Sequence, residues 1–206
     1  MMSLWRVGVL LSCLVATSAR AQEGALGGML DLPLVIHEGG WARYEGTSSD
    51  GPSRFVFKVG AKGRHRGQRG RWMLLDVEVP SVGRLSFHFL VKGERFGTKD
   101  ILLMKVFTPG QRTREIAQPF KEDTPPKRQG RFLQKRTETV AGRTMEILEY
   151  SFPSGVMAEW SQSVPGMGLV RLGGADPFHL VDFGVGGDPW KEKAPPAMFP
   201  VAPKKP

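Results

Sequence analysis

The chain has 206 residues, a formal net charge of +9, 40% apolar residues and one cysteine. That length and apolar content suit one domain with a sizeable core. A single cysteine excludes an intramolecular disulfide framework. The excess positive charge suits anionic partners, or plain solubility, and says nothing of fold.

The N-terminus reads as an export signal. Arg6 precedes the apolar run Val7 to Val15, and Ala19-Arg20-Ala21 places cleavage between Ala21 and Gln22. A run of about nine residues falls short of the roughly twenty that a membrane anchor needs. Leu10-Leu11-Ser12-Cys13 loosely resembles a bacterial lipobox, so lipidation at Cys13 is the alternative to plain cleavage. Removing residues 1–21 takes away Arg6, Arg20 and the cysteine but no acid, so the charge falls from +9 to +7. The expectation is a periplasmic or outer-envelope protein whose stability comes from its core.

Residues 22–188 form the expected β domain. Gln22 to Gly40 is glycine-punctuated, with Leu26, Met29, Leu30 and Leu34 near helical spacing, and suggests a short helix or lid segment. Strand patterns follow at Trp41 to Thr47, Arg54 to Gly60, Trp72 to Val79 and Arg84 to Lys92, with turn clusters between most of them. Lys62 to Arg71 reads as a solvated basic hairpin loop. Ile101 to Thr108 is apolar on both faces apart from Lys105, which predicts a central strand or one facing a second apolar layer. Prolines at 109, 119, 125 and 126 exclude a long helix across Pro109 to Gln129, leaving an excursion over the sheet with one helical turn around Arg114 to Gln118. Strands resume at Phe132 to Val140, Arg143 to Phe152, Val156 to Trp160, Gly168 to Leu172 and Phe178 to Val185. Residues 189–206, rich in proline and lysine, read as an extended mobile tail. Tight turns between β-rich runs imply antiparallel meander pairing.

No catalytic constellation is visible. His37, His65, His88 and His179 are isolated from one another and from metal-ligand spacing. There is no G-x-S-x-G elbow and no P-loop or Rossmann glycine loop, so neither enzyme activity nor a metal or cofactor is expected. Glu146 and Glu149 fall on opposite faces of a strand and cannot act as a pair. The cationic cluster holding Arg64, Arg66, Arg69 and Arg71 is the candidate anionic-surface contact. It lacks interleaved aromatics before Trp72, which disfavours nucleic acid. Phe55, Phe57, Phe87, Phe89, Met104 and Trp160 are either core or the lining of a cavity for an acyl chain.

V-A-G-R-T-M-E at Val140 to Glu146, V-M-A-E-W-S-Q-S-V-P-G-M-G-L-V-R at Val156 to Arg171 and L-V-D-F-G at Leu180 to Gly184 together resemble a pattern in exported bacterial β-rich proteins. Those proteins, mostly of unknown function, are similar to the lipoprotein-localisation (LolA-like) half-barrel group. The resemblance implies a mainly β fold, a single curved antiparallel sheet with short helical or loop cover over its concave face. It implies an apolar ligand there and carries no catalytic residue across. Two functions follow as expectations. One is a non-enzymatic envelope protein that binds a lipid or lipoprotein acyl chain. The other is an envelope scaffold or assembly protein with a filled core, binding an acidic partner through its basic surface.

Overall fold

The computed structural model describes residues 32–48, 51–79, 83–96, 100–108, 110–117, 130–153, 155–174 and 177–190. Their strands are β1 (Gly40–Ser48), β2 (Gly51–His65), β3 (Gln68–Val79), β4 (Gly83–Val91), β5 (Ile101–Phe107), β6 (Arg114–Ala117), β7 (Arg131–Val140), β8 (Arg143–Ser151), β9 (Met157–Trp160), β10 (Leu169–Leu172) and β11 (Phe178–Val185). All eleven join one sheet in the order β6-β5-β4-β3-β2-β1-β11-β10-β9-β8-β7, and each neighbouring pair is antiparallel. This is the order of an up-and-down meander wound into a ring and left open between β6 and β7. The first and last strands pair, Gly40 opposite Val185 and Gly46 opposite Phe178.

The sheet is curled. Pro33 forms a bridge with Arg95, just beyond β4, and its carbonyl accepts the Trp160 indole N–H at the end of β9. Six ladders separate β4 from β9, which would set them about 29 Å apart in a flat sheet. One residue reaches both sides because the sheet bends round it.

Strand alternation sorts the side chains into two faces. Ala42, Tyr44, Phe55, Phe57, Val59, Met73, Leu75, Phe87, Phe89, Met104, Ala158 and Trp160 fall on the concave side, in the main apolar core or packed against it. Tyr44 stacks on Phe55 (centroids 4.9 Å apart) and both meet the edge of Phe178. The buried Tyr44 hydroxyl donates to the Leu169 carbonyl at 3.1 Å, and burial holds its pKa far above the ordinary phenol value.

Cover comes from loops. Leu32, Leu34 and Val35 are buried, and this segment is tied by backbone bonds from Leu34 to Glu94 and from Val35 to Gly166. Phe96 adds T-shaped contacts to Phe57 and Phe89. The segment therefore acts as the expected lid, but in extended form. Residues 22–31 lie outside the described residues, and among those described there is no helix. The turn expected around Arg114 is instead strand β6, whose Ile116 pairs with Met104. Four residues flanked by prolines cannot sustain a helix, whereas β5 offers them a ladder.

The basic segment is corrected too. Lys62 to His65 and Gln68 to Arg71 are strand, and only Arg66 and Gly67 form the turn. Ile101 to Phe107 lies next to the edge strand, not at the centre. Its apolar character on both faces reflects a second layer, in which Leu102 and Leu103 pack with Leu90 and Trp72.

Gly166 holds the cover against the core. Its φ is +85°, and a β-carbon there would sit 2.5 Å from Phe57 Cδ1. Gly67 also has positive φ, at +80°, but faces open space. Gly67→Ala should cost about 1 kcal/mol of conformational strain. Gly166→Ala should cost about 2–4 kcal/mol, because overpacking adds to that strain. Urea unfolding of the two variants checks this difference, and equal losses would show that the cover does not bear on Phe57.

Candidate functional site

β2 and β3 run beyond their neighbours as a two-stranded arm. The ladder sets Lys62 opposite Arg71, Gly63 opposite Gly70, Arg64 opposite Arg69 and His65 opposite Gln68. Alternation then places Lys62, Arg64, Arg69 and Arg71 on one face, the continuation of the concave face that carries Val59 and Met73. Arg66 sits at the tip with φ 46° and Gly67 follows with φ 80°, the paired positive values of a type I′ hairpin turn. Lys62, Arg64, Arg66 and Arg69 are exposed. Arg71 is tied down, donating to Glu38 and to the Gly60 carbonyl, each at 2.9 Å. The opposite face is flattened by glycine: a β-carbon on Gly63 would lie 2.6 Å from Trp72 Nε1 and 2.9 Å from Leu90 Cδ1.

Two features make this arm costly to form. Like charges directly opposite each other repel, and an isolated two-stranded ribbon is marginal in water. From Gly60 to Leu75 the sequence holds no carboxylate to offset the charge. An anionic occupant would relieve the repulsion.

The acyl-lining candidates divide. Phe57 and Phe89 are buried, at 1% and 8% exposure, beneath Phe96 and the Leu32–Val35 segment. Phe55, Phe87 and Met104 are half-buried and, with Leu75, leave a partly open apolar strip away from the arm. Trp160 is half-buried and commits its N–H to Pro33. A buried belt of Phe57, Val59, Met73 and Phe89 separates that strip from the cations.

On the other face, Asp76 accepts from Ser86 and pairs with Lys58 at 2.5 Å, and Ser86 Oγ lies 3.2 Å from His88 Nε2. The group contains the residue types of a hydrolase triad in the wrong order. A nucleophilic serine needs histidine as its proton acceptor, whereas Ser86 gives its only proton to Asp76. His88 Nε2 is then the donor in its contact with Ser86. Burial lowers the His88 pKa, with Lys58 and Lys105 acting in the same direction against the opposing Asp76 charge. The chain crosses this face after β11. Trp41 donates to the Gly186 carbonyl at 2.7 Å, Arg43 to the Pro189 carbonyl at 3.3 Å, and the Arg84 guanidinium sits 4.0 Å from the Trp190 ring centroid. Pro189 and Trp190, read from sequence as the start of the tail, thus contact the sheet; residues 191–206 lie outside the described residues.

A charge network spans β7 to β10. Arg136 pairs with Glu138, Glu149 and Glu159, and Arg171 pairs with Glu138 and Glu159. Glu146 points away to Lys135, which places it opposite Glu149 as the alternation predicts. Beside the network an open groove of about 550 Å³ is lined by Glu45, Arg171, His179, Met157 and Phe178, among others. Among the described residues no cluster of three metal-ligating side chains occurs, and no helix is long and apolar enough to cross a membrane.

Sequence reasoning found the arm's arginines but missed Glu38, which lies 33 residues from Arg71. It also missed the Arg136–Arg171 network, whose only signal is period-2 charge spacing on strands whose partners alternation cannot name.

No protein-family model matches the chain, and neither does any curated protein. A solved structure from Parabacteroides distasonis, described as that of a candidate lipoprotein, is 13% identical over 75% of this chain and all of its own, with a TM-score of 0.35. A likeness that weak transfers no function and no family, so the LolA-like resemblance rests on the sequence motifs.

Asp76 supplies the test of the polar face. Burial pushes its pKa up, but the hydrogen bonds from Lys58 and Ser86 and the Lys58 charge outweigh that, so the folded value lies below the usual one. A depressed carboxylate pKa contributes stability above the unfolded value, near 3.9, and loses it as pH falls towards the folded value. Asp76→Asn should destabilise the fold at neutral pH by about 2 kcal/mol, having left Lys58 without its partner. It should also flatten the loss of stability below about pH 4. Chemical denaturation across that pH range reads both effects, and an unchanged acid limb would discard the linkage.

Proposed function

We propose that this chain is a non-enzymatic exported protein of the cell envelope that binds an acidic partner through the β2–β3 arm. One observation carries the reading: Lys62, Arg64 and Arg69 project from one face of a protruding hairpin, with Arg66 at its tip and no acid in the strand segments around them. Such an array gives salt-sensitive attraction to any dense anion. The packed cover over Phe57 and Phe89 supports a scaffold with a filled core.

A second reading is binding of a lipid or lipoprotein acyl chain, as in LolA-like half-barrels. The half-open strip of Phe55, Leu75, Phe87 and Met104 favours it, and the open, curled meander supports that likeness. The buried belt argues against one amphiphile engaging both strip and arm.

Two measurements separate the readings. Binding to dextran sulfate, followed by fluorescence anisotropy, should weaken steeply as salt rises, and native mass spectrometry of protein from a bacterial envelope should give an apo mass. A stoichiometric co-purifying fatty acid or phospholipid, with no salt-sensitive polyanion binding, would overturn the first reading in favour of the second.

A further inference from the structure

We infer that the acidic partner is the surface of an anionic lipid bilayer, met edge-on by the end of the sheet that bears the arm. This rests on the reading of the arm as an anion-binding element and adds a second observation. The same end carries exposed aliphatic side chains, Ile36 at 37% and Val185 at 70% exposure. Both are fixed beside the base of the arm. The Gly39 N–H donates to the Val59 carbonyl, the Gly186 N–H donates to the Gly39 carbonyl, and Arg71 holds Glu38, each at 2.9 Å. Ile36 and Val185 therefore stand on a rigid rim, not on a loose end. Trp72 is half-buried at the base of the arm, with Lys105 Nζ 5.6 Å from its ring centroid.

Cations that reach phosphates and aliphatic side chains that leave water together fit a headgroup layer, because that layer changes from anionic to apolar within a few ångströms. A soluble polyanion would reward the cations alone and leave Ile36 and Val185 in water. The opposing charges at this end are few. Among the described residues, Glu38 is taken up by Arg71, Glu94 is exposed in the loop after β4, and Asp100 joins the same end through its carbonyl, which accepts from the Lys92 N–H. Lys62, Arg64, Arg66 and Arg69 therefore outnumber them.

The experiment is co-sedimentation of the full protein, carrying its natural N-terminus, with phosphatidylglycerol-containing vesicles and with pure phosphatidylcholine vesicles. Binding should require phosphatidylglycerol and fall with salt. Each cation at such a surface is worth about a fivefold change in partitioning, so Arg64→Ser with Arg69→Ser should weaken binding about 25-fold. Both side chains are exposed, and circular dichroism with thermal melting checks that the fold persists. Ile36→Ser with Val185→Ser should weaken vesicle binding several-fold while leaving dextran sulfate binding and its salt slope unchanged. Equal binding to both vesicle types would overturn the inference. So would indifference of vesicle binding to the Ile36 and Val185 changes. Tight binding to dextran sulfate without binding to phosphatidylglycerol vesicles would overturn it too, while leaving the acidic-partner reading standing. Binding to neither would sink both.

Discussion

The ladder between β1 and β11 joins residues up to 145 positions apart in sequence, and the architecture depends on it. Without it the chain is two separate meanders, β1 to β6 and β7 to β11, each with an apolar face and nothing to bury it against. With it, one curled sheet faces its own interior, and Tyr44 can place its hydroxyl on Leu169 across the seam. Closing so long a loop costs entropy that local strand pairing does not. The return is burial of Phe57, Met73, Val59, Ile147 and Leu169, each essentially removed from water. At about 25 cal/mol per Å² of apolar area, burial on that scale is the main term available to offset closure.

The same ring explains why the cover is where it is. The sheet stays open between β6 and β7, whose lengths are four and ten residues. Mismatched edges cannot form a full ladder, and both carry charge, Arg114 and Glu115 on one and Lys135 and Arg136 on the other. Charged edge strands resist unwanted pairing. An open ring must be plugged by its own chain, and the plug sits where Pro33 reaches Arg95 and Trp160 together. The half-open strip around Phe87 and Met104 is what that plug leaves uncovered.

Strands with alternating apolar residues were legible in the sequence because burial on one face imposes period two. Phe55-Phe57-Val59 and Met73-Leu75-Val77 mark the inner halves of β2 and β3, and Leu85-Phe87-Phe89 marks β4 to within two residues at each end. The outer halves of β2 and β3 were not legible. K-G-R-H and Q-R-G-R alternate as regularly, but between cation and glycine, a pattern that burial does not create and that matches a solvated loop. They are strand because the ladder already running from Phe55 to Val59 continues, and because Gly63 admits Trp72 and Leu90. β6 was hidden for a related reason: Arg114 to Ala117 acquires strand geometry from β5, not from its own composition. The site followed the same division. Arg64, Arg66, Arg69 and Arg71 stand out as a cluster, whereas alternation alone could not say that Lys62, Arg64, Arg69 and Arg71 share a face until the register was fixed.

That shared face keeps the proposed anion-binding surface apart from the side chains that carry stability in this fold. The cations extend from strands whose inner halves are buried in the core, yet Lys62, Arg64 and Arg69 lie beyond the last ladder pairs to β1 and β4, while Arg71 sits at the last one, opposite Val91. Repulsion between Arg64 and Arg69 is therefore borne by the arm alone, and Arg71, the member nearest the core, is the one neutralised by a carboxylate. The two-stranded ribbon is held by the continuing β2–β3 ladder, by Trp72 and Leu90 against Gly63 and by Arg71 on the Gly60 carbonyl, so its outer charges stay clear of the core. A partner's anions would complete at the tip what Glu38 does at the base.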